Sequence, residues 1–355
     1  MKKTAKIVTI ITLVLVLSLS FALLTACNNG KNDKGETPST ENDNTNESSL
    51  SASPYRFTAP EGTPALAILR LTTDNKKIAG HSMEYEIVKP ANIAAEMSSG
   101  KSDLVIMPVN AGSNLIRSGA DYKLVSIAVN GSLFMMGIGE SNTITFDDIK
   151  GKKIACIGQT GVPGLVFRYV MKKNGINLIT EGTPNAENNE VFVQYVADGA
   201  QAKQLFASNE VQYAVVGEPA ATAMFKTKLN CNAEMNMQEA YAACSDEGIT
   251  DYPQAGLFVK SSIASNETFM TALFSALKAS KDWVVENKTE VTAFADENLY
   301  EGAAFPAPSI ARCALNAAAL SENEKVEVIA FLKAVMPKDS NGNVIDWDSV
   351  KGKLF

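Results

Sequence analysis

Gly100-Lys101-Ser102-Asp103-Leu104-Val105-Ile106-Met107-Pro108-Val109-Asn110-Ala111-Gly112-Ser113 joins the end of one helix, a strand and the start of a second helix. Pro90 and Asn92 open the first helix, and Gly100 marks its end. Leu104–Met107 is an unbroken apolar run, the pattern of a strand covered on both faces, as in a parallel sheet. Pro108 to Ser113 then opens the next helix. A strand that feeds directly into a helix belongs to a layered α/β architecture, so the same unit should recur on both sides.

Upstream, Tyr55–Ala59 reads as a short strand, followed by Pro60-Glu61-Gly62-Thr63-Pro64 and an apolar helix, Ala65–Leu71. Met83–Val88 and Leu124–Val129 read as further strands. The pattern restarts at Lys153–Ile157 and passes Gly158-Gln159-Thr160-Gly161-Val162-Pro163-Gly164 into a helix, Leu165–Lys173. Strand Val191–Val196, helix Ala200–Ser208, strand Tyr213–Val216 and helix Ala220–Lys226 follow. Ala255–Lys260 is a late apolar strand. Beyond it the chain reads as helical: Glu267–Glu286, Thr289–Asn298, an alanine-rich stretch from Ile310 to Leu320, and Glu322–Val335. Such alternation with short connections implies parallel sheets flanked by helices. Two halves result, with crossovers near Leu133–Gly139 and Asp251–Phe258 and a tail packed on the first half.

The N-terminus is of another kind. Residues 1–26 hold a basic start (Lys2, Lys3, Lys6), an apolar run from Ile7 to Leu24 and small residues just before Cys27, the order of a secretion signal. Leu24-Thr25-Ala26-Cys27 resembles the lipobox of bacterial lipoproteins. That resemblance implies that Cys27 receives lipid and becomes the first residue of the mature chain. An uncut membrane anchor is the competing reading, since the run of about 18 apolar residues is near the lower limit for spanning. Residues 27–54 read as a disordered tether, because Asn28–Pro54 has Leu50 as its one large aliphatic side chain and cannot offset chain entropy. A flexible coil of that length spans about 25–30 Å.

The body from Tyr55 to Phe355 is large for one core and comfortable for two domains. Net charge is -7, and residues 1–26 carry three Lys and no acid, so the mature chain is at -7 - 3 = -10. That balance argues against nucleic acid and against broad adhesion to anionic lipid, while leaving a local anion site open. Cys156, Cys231, Cys244 and Cys313 remain after Cys27. Outside the cytoplasm a disulfide is permitted, and Cys231 with Cys244 is the close pair. Cys156 falls in a buried strand and reads as a core residue. No CxxC spacing occurs, so neither a zinc site nor a dithiol redox motif is read.

The body resembles the substrate-binding proteins of ABC importers, in the branch that includes nitrate, sulfonate/taurine and thiamine-precursor binders. Gly62-Thr63-Pro64-Ala65-Leu66, Gly100-Lys101-Ser102-Asp103-Leu104-Val105-Ile106 with Asn110-Ala111, and Leu124-Val125-Ser126-Ile127 carry the likeness in the first half. Asp147-Asp148-Ile149-Lys150-Gly151-Lys152-Lys153-Ile154-Ala155 and Gly217-Glu218-Pro219-Ala220 carry it in the second. The individual motifs are loose, but their order spans nearly the whole body. The resemblance implies a two-lobed periplasmic-binding-protein-like fold of type II, with a two-strand hinge and ligand in the cleft. Lobe 1 would comprise 55–132 and 258–355, and lobe 2 would comprise 133–257.

Candidate site residues follow from where an α/β sheet places ligands, at the C-terminal ends of its strands. Helices that start there present unpaired N–H groups and partial positive charge. Gly62 and Thr63, Asn110 and Ser113, and Thr160 and Gly161 sit at three such starts. Small residues let backbone approach a ligand, and hydroxyls add donors. Helix capping by Thr and Ser is the plainer alternative. Glu218 ends a buried strand, where a carboxylate must be paired or bound. It either accepts hydrogen bonds from a ligand amine or hydroxyl, or it holds a salt link. A solute with both an acidic and a donor group, or a neutral heterocycle, fits this set better than a bare anion.

No catalytic residue, cofactor or metal site is read. The glycine loop at 158–164 lacks the Lys-Ser/Thr of a P-loop and the pattern of a dinucleotide site. His81, the single histidine, reads as a surface loop residue without a nucleophile elbow. Phe134, Met135 and Met136 at the crossover read first as hinge or core packing and second as ligand contacts; Trp283 reads as core, and Trp347 as an anchor of the tail. The expected protein is a monomeric solute binder, lipid-anchored on the extracytoplasmic face of the cell membrane, with a small organic solute and an ABC permease as partners. Two other readings stand beside it: an enzyme resembling the thiamine-pyrimidine synthases, and a surface receptor without a permease.

Overall fold

The computed structural model describes residues 53–246 and 248–355; the expected signal segment, Cys27 and the expected tether as far as Ala52 lie outside them. A first sheet has the order β2-β3-β1-β4-β12-β5. Its strands are β1 (Tyr55–Pro60), β2 (Lys77–Ile78), β3 (His81–Val88), β4 (Leu104–Pro108), β5 (Tyr122–Asn130) and β12 (Pro253–Lys260). A second sheet has the order β11-β6-β10-β7-β9-β8. Here β6 is Leu133–Gly137, β7 Lys153–Ile157, β8 Asn177–Ile179, β9 Glu190–Val196, β10 Tyr213–Gly217 and β11 Ala233–Asn236. In each sheet a parallel set (β3-β1-β4; β10-β7-β9-β8) is flanked by antiparallel strands that carry the chain across.

Helices α1 (Thr63–Ala67), α2 (Leu71–Asp74), α3 (Ile93–Ser98) and α4 (Val109–Arg117) serve the first sheet. Helices α5 (Phe146–Ile149), α6 (Val162–Lys173), α7 (Gly199–Ala207), α8 (Met237–Cys244) and a wide π-helical segment, Ala221–Lys226, serve the second. The tail holds α9 (Ser261–Ala264), α10 (Glu267–Glu286), α11 (Lys288–Asn298), α12 (Ala307–Ile310), α13 (Glu322–Val335) and α14 (Trp347–Leu354). Among the described residues no helix is long and apolar enough to cross a membrane.

The apolar run in β4 explains itself in the packing. Leu104 and Ile106 enter one hydrophobic cluster, while Val105 and Met107 enter another on the opposite face, and all four are fully buried. A strand in that position has no solvent face, so no polar residue alternates with the apolar ones. Trp347 is fully buried and donates its Nε1–H to the Met336 carbonyl at 2.9 Å, which pins the C-terminal helix to the end of α13.

The chain passes between the sheets at Asn130–Leu133 and again ahead of β12. The two crossings are tied, since Ser132 N–H donates to Gln254 Oε1 at 3.0 Å. β12 begins at Pro253, so residues expected in the second half up to 257 pair instead with β5, Pro253 opposite Asn130 and Leu257 opposite Ser126.

Three further expectations need correction. The alanine-rich stretch is not helical beyond Ile310. Its backbone follows the outer edge of β5: Asn130 N–H donates to Ala314 O, Asn316 N–H to Ala128 O and Leu320 N–H to Val125 O. Pairing an exposed sheet edge outweighs the small propensity advantage of alanine. Cys231 and Cys244 are free thiols. They belong to clusters on opposite faces of the second sheet, Cys231 beside Phe225 and Phe134, and Cys244 beside Tyr169. His81 is not in a loop. It starts β3, stacks on Tyr55 with centroids 4.7 Å apart and meets the edge of Phe269. That end of a parallel strand is opposite the end that carries the expected cleft.

Candidate functional site

The loops after β1, β4, β7 and β10 face one another across the junction of the two sheets. Asn110 Nδ2 donates to the Thr160 carbonyl at 3.0 Å. Thr63 Oγ1 donates to the Glu218 carbonyl at 2.9 Å. Each pair takes one residue from either side, so the cleft is shut here, with its walls in polar contact. None of these side chains caps a helix: the N-cap positions of α1, α4 and α6 are Gly62, Pro108 and Gly161, and none has a side-chain cap. The hydroxyls are therefore not explained by capping.

The backbone donors expected at these loops are taken by the protein itself. Gly62 N–H donates to Tyr300 Oη at 3.0 Å, and Gly161 N–H donates to the Gly158 carbonyl at 3.0 Å. The glycine loop folds back on itself, and a Cβ on Gly164 would lie 2.6 Å from Gly158 O. Ser113 is fully buried, and its Oγ has no partner.

Glu218 holds a salt link, the second of the two roles open to it. Its carboxylate accepts from Thr222 N–H at 3.1 Å, from Thr222 Oγ1 at 2.9 Å and from Arg312 Nε. The same guanidinium makes a two-pronged pair with Glu234, at 3.1 and 2.9 Å, and lies over the Phe134 ring, 3.7 Å from its centroid. Lys226 adds a second cation to Glu234 at 3.0 Å. Burial pulls the Glu234 carboxyl upward, but Arg312 and Lys226 overcome it and hold it below its ordinary range. Arg312 is anchored beside β5 through Ala314, whereas Glu218, Glu234 and Phe134 ride on the second sheet. The triad therefore spans the junction. Beneath it the Cys313 thiol, within reach of Thr63, is pushed up to about 12 by burial.

A cavity of about 500 Å³ opens beside the Asn110–Thr160 contact, between α4, α6 and the 336–345 turn. Its walls carry Asn110, Asn114 and Arg117 from α4, Thr160 and Arg168 from the α6 side, and Lys338 and Asp339 from the tail. Asn110, Asn114 and Arg117 share a helix face by their spacing. Asn110 is only 4% exposed, and its Oδ1 has no hydrogen-bond partner. A larger hollow of about 850 Å³ lies on the far side of Arg312, against β6 and β11. Phe134 lines it, but none of the candidate residues Gly62, Thr63, Asn110, Ser113, Thr160, Gly161 and Glu218 does. Among the described residues no three His, Cys, Asp or Glu side chains group as a metal site requires.

No family model matches the chain, and no curated protein sequence does. Solved structures do match. One described as an ABC transporter from Parabacteroides distasonis is 18% identical, with 83% of this chain and 97% of that chain covered and a TM-score of 0.65. The periplasmic aliphatic sulphonate binding protein SsuA from Escherichia coli is 13% identical, with 79% and 86% covered and a TM-score of 0.55. The ligand-binding component of an ABC-type import system from Staphylococcus aureus, solved with zinc bound, is 12% identical, with 79% and 90% covered and a TM-score of 0.55. The fold is thus that of the substrate-binding proteins of ABC-type importers: α/β, two-lobed, with helix-flanked sheets joined by a two-strand hinge.

Sequence reasoning did not single out Arg312, Glu234, Arg117 or Arg168. A signal was present. The chain has five arginines, and three of them, Arg117, Arg168 and Arg312, stand at the junction of the sheets. Arginine's planar fork and permanent charge suit it to sites where charge must be held in a partly buried setting.

Proposed function

We propose that this chain is the extracytoplasmic solute-binding subunit of an ABC-type importer, holding a small organic solute between its lobes. The carrying observation is that strand-end loops of both sheets meet in residue pairs, Asn110 with Thr160 and Thr63 with Glu218, across a double connection. A ligand that touches both walls favours the closed form by its differential affinity, and a permease can then read that form. Thr63, Asn110, Ser113, Thr160, Glu218 and the backbone at Gly62 and Gly161 border the route by which solute enters when the walls part. A sulfonate-like or pyrimidine-like solute is consistent with the mixed polar lining. The fold likeness to importer binding proteins supports transport over catalysis, and His81 lies too far from the cleft to serve the pyrimidine-synthase alternative. Lipid on Cys27 and the tether would hold the body at the outer face of the membrane. Mass spectrometry of small molecules released on denaturing the purified mature chain tests the reading. One organic species in amounts matching the protein is expected, and repeated release of none would overturn it. For the anchor, Cys27→Ser should abolish acylation; an unacylated wild-type N-terminus elsewhere would refute it.

A further inference from the structure

The cavity between α4 and α6 concentrates positive charge on an acidic protein. Arg117, Arg168 and Lys338 face Asp339 there, three cations against one carboxylate, 3 - 1 = +2, on a chain whose net charge is -7. Among the described residues none of the three cations has a carboxylate within salt-bridge distance. Arg117 donates only to Asn114 Oδ1, at 2.8 and 3.0 Å. Arg168 donates through one nitrogen, to the Gln159 carbonyl at 2.7 Å and to Tyr195 Oη at 3.4 Å. Asp339 is engaged within its own turn, accepting from the backbone N–H groups of Asn341 and Asn343 and from Asn343 Nδ2. Both guanidiniums are half-buried and keep unused N–H donors. At the cavity's inner end, the buried Asn110 Oδ1 accepts from nothing.

We propose that this cavity is an oxyanion subsite of the solute cleft, in which a carboxylate, sulfonate or phosphate group bridges Arg117 of one lobe and Arg168 of the other while an N–H or O–H of the same solute donates to Asn110 Oδ1. The proposal rests on the solute-binding reading and adds to it the class of solute. It also supplies a driving force for closure. Two like charges on opposite walls repel when the walls approach alone, and an anion between them reverses the sign of that interaction. Guanidinium forks match the geometry of tetrahedral and planar oxyanions. The volume of about 500 Å³ lies within the range of ordinary ligand sites.

Thermal unfolding of the full chain in detergent tests this with sulfate, inorganic phosphate and methanesulfonate, against chloride at equal ionic strength. At least one oxyanion should raise the melting temperature above the chloride control. Arg117→Gln and Arg168→Gln should each raise the half-saturating concentration about tenfold or more, while Lys172→Gln on the outer face of α6 should leave it unchanged. Protection by no oxyanion, or protection equal in all four proteins, would overturn the proposal. Recovery of a neutral or cationic solute from the mature chain would also overturn it, yet leave the solute-binding reading intact. Release of no solute at all would instead count against that reading.

Discussion

Arg312→Met removes a side chain that ties both Glu218 and Glu234 of the second lobe to the first. The variant keeps an unbranched apolar stem over Phe134 and deletes the charge. Glu218 has a fully buried side chain, whereas Glu234 and Arg312 are 28% and 21% exposed. Removing one partner of a buried pair costs about 3–5 kcal/mol, and single bonds to charged groups are worth about 1.5–3 kcal/mol. Glu218 keeps both donors from Thr222, and Glu234 keeps Lys226, so neither acid is stranded. The lower end applies, about 2–3 kcal/mol. Because the contact crosses the junction, this free energy belongs to the closed form and not to the packing of either lobe. It corresponds to about a 30- to 160-fold shift toward the open form, and solute affinity should fall by up to the same factor. Titration calorimetry with the released solute reads the affinity, and solution scattering reads the opening. Glu218→Gln and the double variant complete a cycle that isolates the pair. An Arg312→Met protein with unaltered affinity and radius would refute the claim that the triad is a latch.

Acidification should open the same latch. The Glu234 carboxyl is held low in the closed form, so its contribution is complete above the ordinary glutamate range and is lost as pH falls through the closed-form value. Scattering below about pH 4 should show a larger radius than at pH 7. Cys231 and Cys244 should remain free: burial pushes the Cys231 thiol up to about 11, so the folded protein should alkylate slowly at pH 8, and the denatured mature chain's mass should not depend on reductant. Trp347→Ala should lower stability by about 3–5 kcal/mol, read by urea unfolding, because a fully buried indole and its bond to Met336 are both lost.

Much of this fold is written in local patterns. Lys153–Ile157, Glu267–Glu286 and Glu322–Val335 end where their apolar spacing and flanking residues say they should. The parallel core strands were legible because two-sided burial leaves no room for polar residues. What was not legible depended on partners distant in sequence. Ile310–Leu320 has the composition of a helix but is drawn along β5 by bonds to Val125, Ala128 and Asn130. The short strands β2, β8 and β11 carry too few residues to show a period. Loop position was enough to bring Asn110, Thr160, Thr63 and Glu218 together at the junction of the sheets, since strand ends can be counted. Arg312 could not be placed that way, because its role is fixed by acids 78 and 94 residues away in the chain.

Solution scattering of the purified protein, stripped of solute and then given back the small-molecule fraction it released, tests the solute-trap reading most directly. The radius of gyration should be larger in the stripped protein and should fall, saturably, to the closed value when the fraction is returned. A stripped protein that binds the returned solute with no change in radius, or that already has the closed radius without it, would contradict hinge closure as the mechanism.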